Sequence, residues 1–254
     1  DDQIAISYAT GNSIGKFATI YKSILPDTVL LLGDRYEIFS AAIAALITNI
    51  PITHLHGGEV TAGAIDDSIR HSITKMSTLH FATTHIYMKR IIQMGENENN
   101  IYNVGSPGVE FIKRAKLLKL NELENKLKFR FNKFNLLISF HSTTREQNTS
   151  KKYFSNLLAV ISKLKETNII FTKTNSDNDG NIINYMIDEY VSKNKKNCIS
   201  FKSMGQVNYL STMKFVNGII GNSSSAIIEA PTLNCGVINI GNRQKGRVMA
   251  DSVI

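Results

Sequence analysis

The stretch from Thr28 to Glu59 reads TVLLLGDRYEIFSAAIAALITNIPITHLHGGE and contains the pattern that decides the fold. A short apolar run, Thr28–Gly33, is followed by an alanine-rich segment of helical composition and then by a second short run, Ile50–His56. Short apolar runs between turn signals are typical of buried strands, and their alternation with helices predicts a parallel sheet. We therefore expect a strand–helix–strand unit here, within a sheet covered by helices on both faces.

The same alternation continues on both sides of a lysine- and leucine-rich segment, Pro107–Lys133, that shows no strand pattern. We predict an α/β fold with two Rossmann-like domains whose parallel sheets face a cleft. The predicted divisions are an N-terminal domain over residues 1–115, a linker helix region over 116–133 and a C-terminal domain over 134–254. Ligands of such sheets bind beyond the carboxyl ends of the strands, so the residues that follow each strand are the functional candidates.

The overall composition argues against several classes of function. The chain of 254 residues has 29 Lys and Arg against 21 Asp and Glu, but these basic residues are scattered and are not interleaved with aromatic residues as in a base-stacking surface. No apolar run approaches the roughly 20 residues that span a bilayer, and we identify no signal peptide. We expect a cytoplasmic protein without nucleic-acid or membrane partners, in which Cys198 and Cys235 are buried free thiols.

Polar side chains follow both apolar runs of the opening stretch. Asp34 and Arg35 come directly after the first run, and His56 and Glu59 flank a glycine pair after the second. Carboxylates and histidines at strand ends are the groups that general acid–base chemistry uses. The next helical segment carries a charged stripe on the face opposite its isoleucines, made of Asp66, Asp67, Arg70, His71 and Lys75. The alternative for this stripe is a solvent-facing helix with ion pairs four residues apart.

A metal centre is not predicted. His54 and His56 fall on the same side of a strand by simple alternation, but no third ligand has a convincing spacing.

The second domain contains a serine-rich turn that is suited to binding phosphate. Residues 221–226 read GNSSSA, follow the apolar run FVNGII and open a helix that ends near Glu229. Hydroxyls and free backbone N–H groups at a helix N-terminus bind phosphate, and Glu229 is one turn away from them, where a ribose could donate to it. The alternative is an ordinary serine N-cap, since serine and asparagine cap helices in any protein.

Five strings together resemble the hydrolysing UDP-N-acetylglucosamine 2-epimerases of sialic-acid pathways. They are LLGDRYEIFSAAIAA from Leu31, HLHGGEVTAGAIDDSIRHSITKMS from His54, GSPGVE from Gly105, GNSSSAIIEAP from Gly221 and GNRQKGR from Gly241. The resemblance implies a glycosyltransferase-B-like fold, no cofactor and a UDP-sugar partner, with a homo-oligomer (dimer or tetramer) expected. It also implies a reaction in which anti elimination of UDP gives 2-acetamidoglucal, which water converts to N-acetylmannosamine.

The matching strings also imply the site residues. Catalytic roles are assigned to Asp34, Asp67, His56, Glu59 and His141. Contacts to UDP or the sugar are assigned to Arg35, Arg70, His71, Asn175, Ser223, Ser224, Ser225 and Glu229. The arginine assignments fit the planar, permanently charged fork that recognises phosphate.

Two features depart from the resemblance. Many relatives carry a glutamate, a candidate base, where this chain has His56, so the group that takes the C2 proton stays open. The first strand and arginine loop of the family have no counterpart here, and the expected last helix is absent, so we expect an internal portion of a longer protein. The alternatives are the same reaction on a UDP-2,4-diacetamido-2,4,6-trideoxyhexose, or an inactive fragment that binds nucleotide sugars.

Overall fold

The computed structural model of the chain describes residues 3–61, 65–142, 149–174 and 180–254. The chain forms two compact units, the first from Asp1–Ser106 with Lys245–Arg247 and the second from Pro107–Gln244 with Val248–Ile254. Each unit has its own parallel sheet, so the predicted α/β class with two Rossmann-like sheets is confirmed. No helix in the described ranges combines the length and the apolar character that crossing a bilayer requires.

In its described residues, the first unit has a four-stranded parallel sheet in the order β1-β2-β3-β4. Its elements are α1 (Gln3–Ile24), β1 (Val29–Leu32), α2 (Tyr36–Ile47), β2 (Ile52–Leu55), α3 (Asp66–Met76), β3 (Leu79–Ala82), α4 (His85–Gln93) and β4 (Ile101–Asn103). The alanines of α2 are buried against Tyr21 and neighbouring residues of α1, because small side chains let two helices approach closely. This packing holds α2 in place, so that Asp34 lies in the loop before it.

The second unit has a five-stranded parallel sheet in the order β7-β6-β5-β8-β9 among its described residues. Its elements are α5 (Pro107–Arg114), α6 (Leu120–Leu127), β5 (Phe134–Ser139), α7 (Thr149–Ile161), β6 (Thr167–Thr172), α8 (Gly180–Lys193), β7 (Cys198–Phe201), α9 (Gln206–Phe215), β8 (Gly218–Gly221), α10 (Ser224–Ile228) and β9 (Val237–Asn239). The strand order reverses between β5 and β8. In open α/β sheets this switch point is where ligands bind.

Successive residues of β5 enter two separate cores. Leu137 packs with residues of α5, α6 and α9, whereas Ile138 packs with residues of α7 and α8. Burial on both faces explains why the central strands are almost continuously apolar. Gly221 ends β8 with a φ of +151°, and a Cβ atom at this position would overlap the carbonyl oxygen of Ser139 on β5.

Two segments differ from the sequence interpretation. Residues 116–133 do not form a separate linker region, because Leu123 and Leu127 of α6 are buried in the core of the second unit together with Ile112 of α5. The second unit therefore begins at Pro107 instead of residue 134. Helix α1 was not predicted, since its apolar residues form no clear stripe and Gly11 and Gly15 weaken its helix propensity.

Candidate active site

A buried arginine of the first unit joins two of the predicted catalytic carboxylates. The Arg70 side chain is 1% exposed, and its Nη2 donates to Asp34 Oδ2 and to Thr61 Oγ1, the latter at 3.0 Å. Arg70 Nη1 lies 3.7 Å from Asp67 Oδ1. Burial, with the charge of Arg247 nearby, lowers the pKa of Arg70 to about 9, so the guanidinium still carries its charge at neutral pH.

This arrangement corrects the predicted face of α3. The charged stripe was expected opposite the buried isoleucines, with Asp66 reaching Arg70, but Arg70 is buried beside Ile73 and pairs with Asp34. An arginine can be buried there because two carboxylates compensate its charge. Lys75 at the end of the helix pairs with Glu96 at 2.5 Å.

A second group of side chains surrounds the glycine pair that follows β2. His56 Nδ1 lies 2.8 Å from Glu59 Oε1, and Arg247 Nη1 donates to Glu59 Oε2 at 2.6 Å. Thr83 Oγ1 donates to Glu59 Oε1 at 3.0 Å. Burial acts to raise the pKa of Glu59, but the contacts with His56, Arg247 and Thr83 outweigh it and hold this pKa below its ordinary value. Glu59 is therefore an ionised carboxylate at neutral pH.

Thr61 connects the two groups. Its backbone N–H donates to Asp67 Oδ1 at 2.6 Å, and its hydroxyl oxygen accepts from Arg70 and, at 3.4 Å, from Arg247 Nη2. The predicted catalytic residues of the first unit thus form one hydrogen-bonded network with Arg70, through residues that the sequence interpretation did not assign. These are Thr61, Thr83 and Arg247. Arg247 is the last residue of the string GNRQKGR. This string singled out the segment, but its spacing did not predict a contact between Arg247 and Glu59.

Of two further predicted contacts in the first unit, His71 lies beside Asp67 of this network, and Arg35 pairs with Glu37 outside it. His71 Nε2 is 3.7 Å from Asp67 Oδ2, and burial lowers the pKa of His71. Arg35 is half exposed and its Nε lies 3.3 Å from Glu37 Oε2. Their proposed contacts with substrate remain predictions.

His54 is a buried structural residue beneath the network. Its Nε2 donates to the carbonyl oxygen of Gly33 at 3.0 Å, which connects β2 to the loop that carries Asp34. Its Nδ1 lies 3.3 Å from Thr74 Oγ1.

His56 lies beyond the last residue of β2, with a φ of +65°, so strand alternation does not relate the rings of His54 and His56. Within the described ranges, no group of three His, Cys, Asp or Glu side chains is placed to hold a metal ion.

The burial of His54 predicts a loss of stability in mild acid. Burial lowers its pKa to about 4, whereas an unfolded histidine titrates near pH 6.5. Because the unfolded state binds the extra proton between these values, the free energy of unfolding falls as pH decreases from about 6.5 to about 4, by roughly 1.4 kcal/mol per pH unit. We expect His54→Gln to be less stable at pH 7 but to lose less stability on acidification. Urea denaturation of both proteins at several pH values measures this, and equal slopes would contradict it.

In the second unit, His141 and Asn222 connect the ends of β5 and β8 at the switch point. The His141 N–H donates to Asn222 Oδ1 at 2.7 Å, and Asn222 Nδ2 donates to the His141 carbonyl oxygen at 2.8 Å. His141 Nδ1 lies 3.0 Å from Thr174 Oγ1. Burial, with the charge of Arg243 nearby, lowers the pKa of His141 to about 4, so its ring is neutral at neutral pH.

The serine-rich turn continues this edge of the sheet. Ser223 precedes α10 without capping it through its side chain, and the Ser225 hydroxyl donates to Glu229 Oε2. Arg243 Nη1 and Gln244 Nε2 donate to the Asn222 carbonyl oxygen at 3.1 and 2.7 Å. The predicted residues that the structure brings to this edge are His141, Ser223, Ser224, Ser225 and Glu229. Asn175 lies outside the described residues.

Comparison with known proteins supports the family resemblance that the sequence strings indicated. The family described as UDP-N-acetylglucosamine 2-epimerase matches residues 1–254. The GDP/UDP-N,N'-diacetylbacillosamine 2-epimerase (hydrolyzing) of Campylobacter jejuni is 42% identical over the whole chain, and polysialic acid biosynthesis protein P7 of Escherichia coli is 42% identical over 96% of it. The chain spans 66% and 61% of the lengths of these relatives.

A solved structure supports the fold independently of sequence. UDP-GlcNAc 2-epimerase from Neisseria meningitidis, bound to UDP-GlcNAc, matches 94% of the chain with a TM-score of 0.82 at 17% identity, over 66% of its own length. This likeness confirms the predicted glycosyltransferase-B-like fold class. The family match covers every residue of the sequence, and the chain therefore belongs to the UDP-N-acetylglucosamine 2-epimerase family.

Proposed function

We propose that the protein is a hydrolysing 2-epimerase that converts a UDP-2-acetamido sugar and water into UDP and the free sugar inverted at C2. The observation that carries the proposal is the hydrogen-bonded network of the first unit, which gathers Asp34, Asp67, Glu59 and His56 beyond the carboxyl ends of β1 and β2. Epimerisation at C2 requires groups that remove and return a proton, and this network contains several of them.

In the proposed reaction, a base removes the C2 proton while the bond from C1 to the β-phosphate oxygen of UDP breaks. These changes yield UDP and an unsaturated 2-acetamidoglucal. Water then adds its oxygen to C1, and a proton is delivered to C2 from the opposite face. Asp34 and Asp67 are the proposed carboxylates for the proton transfers that accompany loss of UDP, addition of water and return of a proton to C2, and Arg70 orients them through the contacts described above.

The second unit is proposed to bind the nucleotide. The switch point of its sheet lies between β5 and β8, and dinucleotides and mononucleotides bind at such points. We assign phosphate contacts to His141 and the serine-rich turn, and a ribose contact to Glu229, since hydroxyls and backbone N–H groups suit phosphate and a carboxylate suits a sugar hydroxyl. Arg70, in contrast, is proposed to position Asp34 instead of binding phosphate, because its side chain is fully buried.

Two sugars are candidates for the substrate. The sequence predicts UDP-N-acetylglucosamine, the compound bound in the Neisseria structure. The relative that is 42% identical over the whole chain is named for diacetylbacillosamine, a 2,4-diacetamido-2,4,6-trideoxy sugar, and this identity favours that substrate. A cytoplasmic location and a homo-oligomeric state stay predictions, and light scattering of the purified protein tests the oligomeric state.

The first measurement is NMR of the purified protein with each UDP-sugar in deuterated water. We expect UDP to be released together with a free 2-epimer that carries deuterium at C2. Faster turnover of the diacetamido sugar would identify it as the preferred substrate. Release of UDP without deuterium at C2 would contradict the proton chemistry, and binding of UDP without turnover of either sugar would contradict the proposed activity.

A further inference from the structure

We propose that Arg247 is a positioning residue that holds Glu59 against His56 and thereby leaves Nε2 of His56 as the base for the C2 proton. This inference rests on the proposed function and assigns a role that the resemblance leaves open. Arg247 belongs to the short segment Lys245–Arg247 that is part of the first unit, and its side chain is 10% exposed.

Glu59 is fixed by its neighbours and turned away from solvent. Oε1 accepts from His56 Nδ1 and Thr83 Oγ1, and Oε2 accepts from Arg247 Nη1. Only 4% of the side chain is exposed, so substrate has little access to this carboxylate. Glu59 is therefore a positioning residue in this proposal instead of the proton acceptor itself.

The contact with Glu59 determines which nitrogen of His56 carries the proton. An ionised carboxylate can only accept a hydrogen bond, so Nδ1 of His56 must be the donor. A neutral imidazole has one N–H group, and Nε2 is then left with the lone pair that a base requires. In the described part of the chain Nε2 has no hydrogen-bond partner, and 18% of the His56 side chain is exposed.

The backbone of His56 supports the same assignment. Its φ of +65° is in the left-handed region, which is strained for a residue other than glycine. Two contacts next to it hold the turn in this shape. Gly58 has a φ of +75° and leaves no room for a Cβ beside the carbonyl oxygen of Tyr87, and Arg90 Nη1 donates to the Gly58 carbonyl oxygen at 2.5 Å. Strained residues of this kind are frequent where a side chain must be aimed at a ligand.

Arg247 is needed because Glu59 is buried. Burial alone favours a protonated Glu59, which could donate to Nδ1 and reverse the tautomer of His56. The guanidinium of Arg247 opposes this protonation at a distance of 2.6 Å. The other titratable or charged groups around Glu59 and His56 are His54 on β2, His80 next to His54, Arg90 on α4 and Arg70 on α3. Among the described residues, Arg247 is the one cation that contacts the carboxylate of Glu59 directly.

The first experiment reads the tautomer without any substrate. Long-range ¹H–¹⁵N NMR of the ¹⁵N-histidine-labelled protein, with the His56→Gln variant to assign the signal, reports which ring nitrogen is protonated. We expect the Nδ1–H form in the wild-type protein and a mixture or the Nε2–H form in Glu59→Gln. The Nε2–H form in the wild-type protein would overturn the proposal.

The second experiment compares turnover of Arg247→Met and Arg247→Lys across pH. We expect kcat of the methionine variant to fall on the order of 100-fold with little change in KM, because the base is misplaced. Its acid limb should also move to higher pH, since Glu59 loses the charge that keeps it ionised. The lysine variant should restore part of the rate and most of the acid limb, because it keeps the charge.

The controls separate this inference from the proposed function. Arg114→Met removes an exposed arginine that pairs with Glu110 on the surface of α5, and it should behave as the wild-type protein does. A uniform loss of rate at all pH values in Arg247→Met, without rescue by lysine, would show a merely structural role and overturn the inference. If the wild-type protein turns over neither sugar, the proposed function fails, and the tautomer measurement still decides the arrangement of His56, Glu59 and Arg247.

Discussion

Replacement of Asp34 by asparagine is expected to nearly abolish turnover while the protein stays folded. The carboxylate of Asp34 is proposed to transfer protons. Loss of a proton-transferring side chain lowers kcat by roughly 10²–10⁴-fold. Asparagine keeps an oxygen that accepts from Arg70, and Asp67 remains 3.7 Å from the guanidinium to compensate its charge. We therefore expect the melting temperature to fall by only roughly 2–4 °C, the effect of about 1 kcal/mol in a chain of this size.

UDP release and circular dichroism of the same samples test this expectation. Asp188→Asn is the matched control, because Asp188 is half exposed on α8 and pairs with Lys173. The control should keep the wild-type rate. An Asp34→Asn variant with a normal rate would remove Asp34 from the catalytic set, and a variant that does not fold would show that Arg70 depends on the charge of Asp34.

Replacement of Gly221 by alanine is expected to give the largest loss of stability. The added Cβ would overlap the backbone of Ser139 on the neighbouring strand β5, and its φ of +151° is itself unfavourable for alanine. Neither problem can be relieved by a side-chain rotation. We expect a loss on the order of 4 kcal/mol, with a melting temperature lower by roughly 10 °C.

Gly218→Ala provides the control within the same strand. A Cβ at Gly218 would meet its nearest neighbour, the Gly236 carbonyl oxygen, at 3.5 Å, which is an ordinary contact. Thermal denaturation of the two variants should therefore separate a strongly destabilised protein from one close to wild type. Similar melting temperatures for both would mean that β5 and β8 separate easily, and the proposed nucleotide site at their ends would need to be reconsidered.

The central strands could be predicted because, like β2 and β6, they are buried on both faces and therefore read as short apolar runs. β1 lies within the predicted run Thr28–Gly33, and β2 lies within the predicted run Ile50–His56. Helix α1 could not be predicted, because it is stabilised by its contact with the alanines of α2 more than by a pattern of its own. The helices of residues 107–133 were predicted as a connection between domains. Their burial was not predicted, because it depends on contacts with the sheet of the second unit.

The candidate site was predictable to the extent that it follows the topology. Asp34, His56 and His141 became candidates because they come directly after strands of parallel sheets. Arg247 was not assigned, since 188 residues separate it from its partner Glu59 and no local pattern indicates such a contact. The burial of Arg70 was missed for a related reason: its partner Asp34 is 36 residues away, whereas the helix itself offers Asp66 at the favourable spacing.

The separation of Glu59 from Arg247 also has a consequence for biosynthesis. Glu59 is made 188 residues before the arginine that neutralises it. At a ribosomal rate of about 5–20 residues per second, this interval lasts roughly 10–40 s. During that time Glu59 lacks the guanidinium that contacts its carboxylate directly, so the nascent first unit should hold Glu59 either protonated or turned to water. The contact that fixes Glu59 beside His56 can therefore form only after Arg247 has been translated.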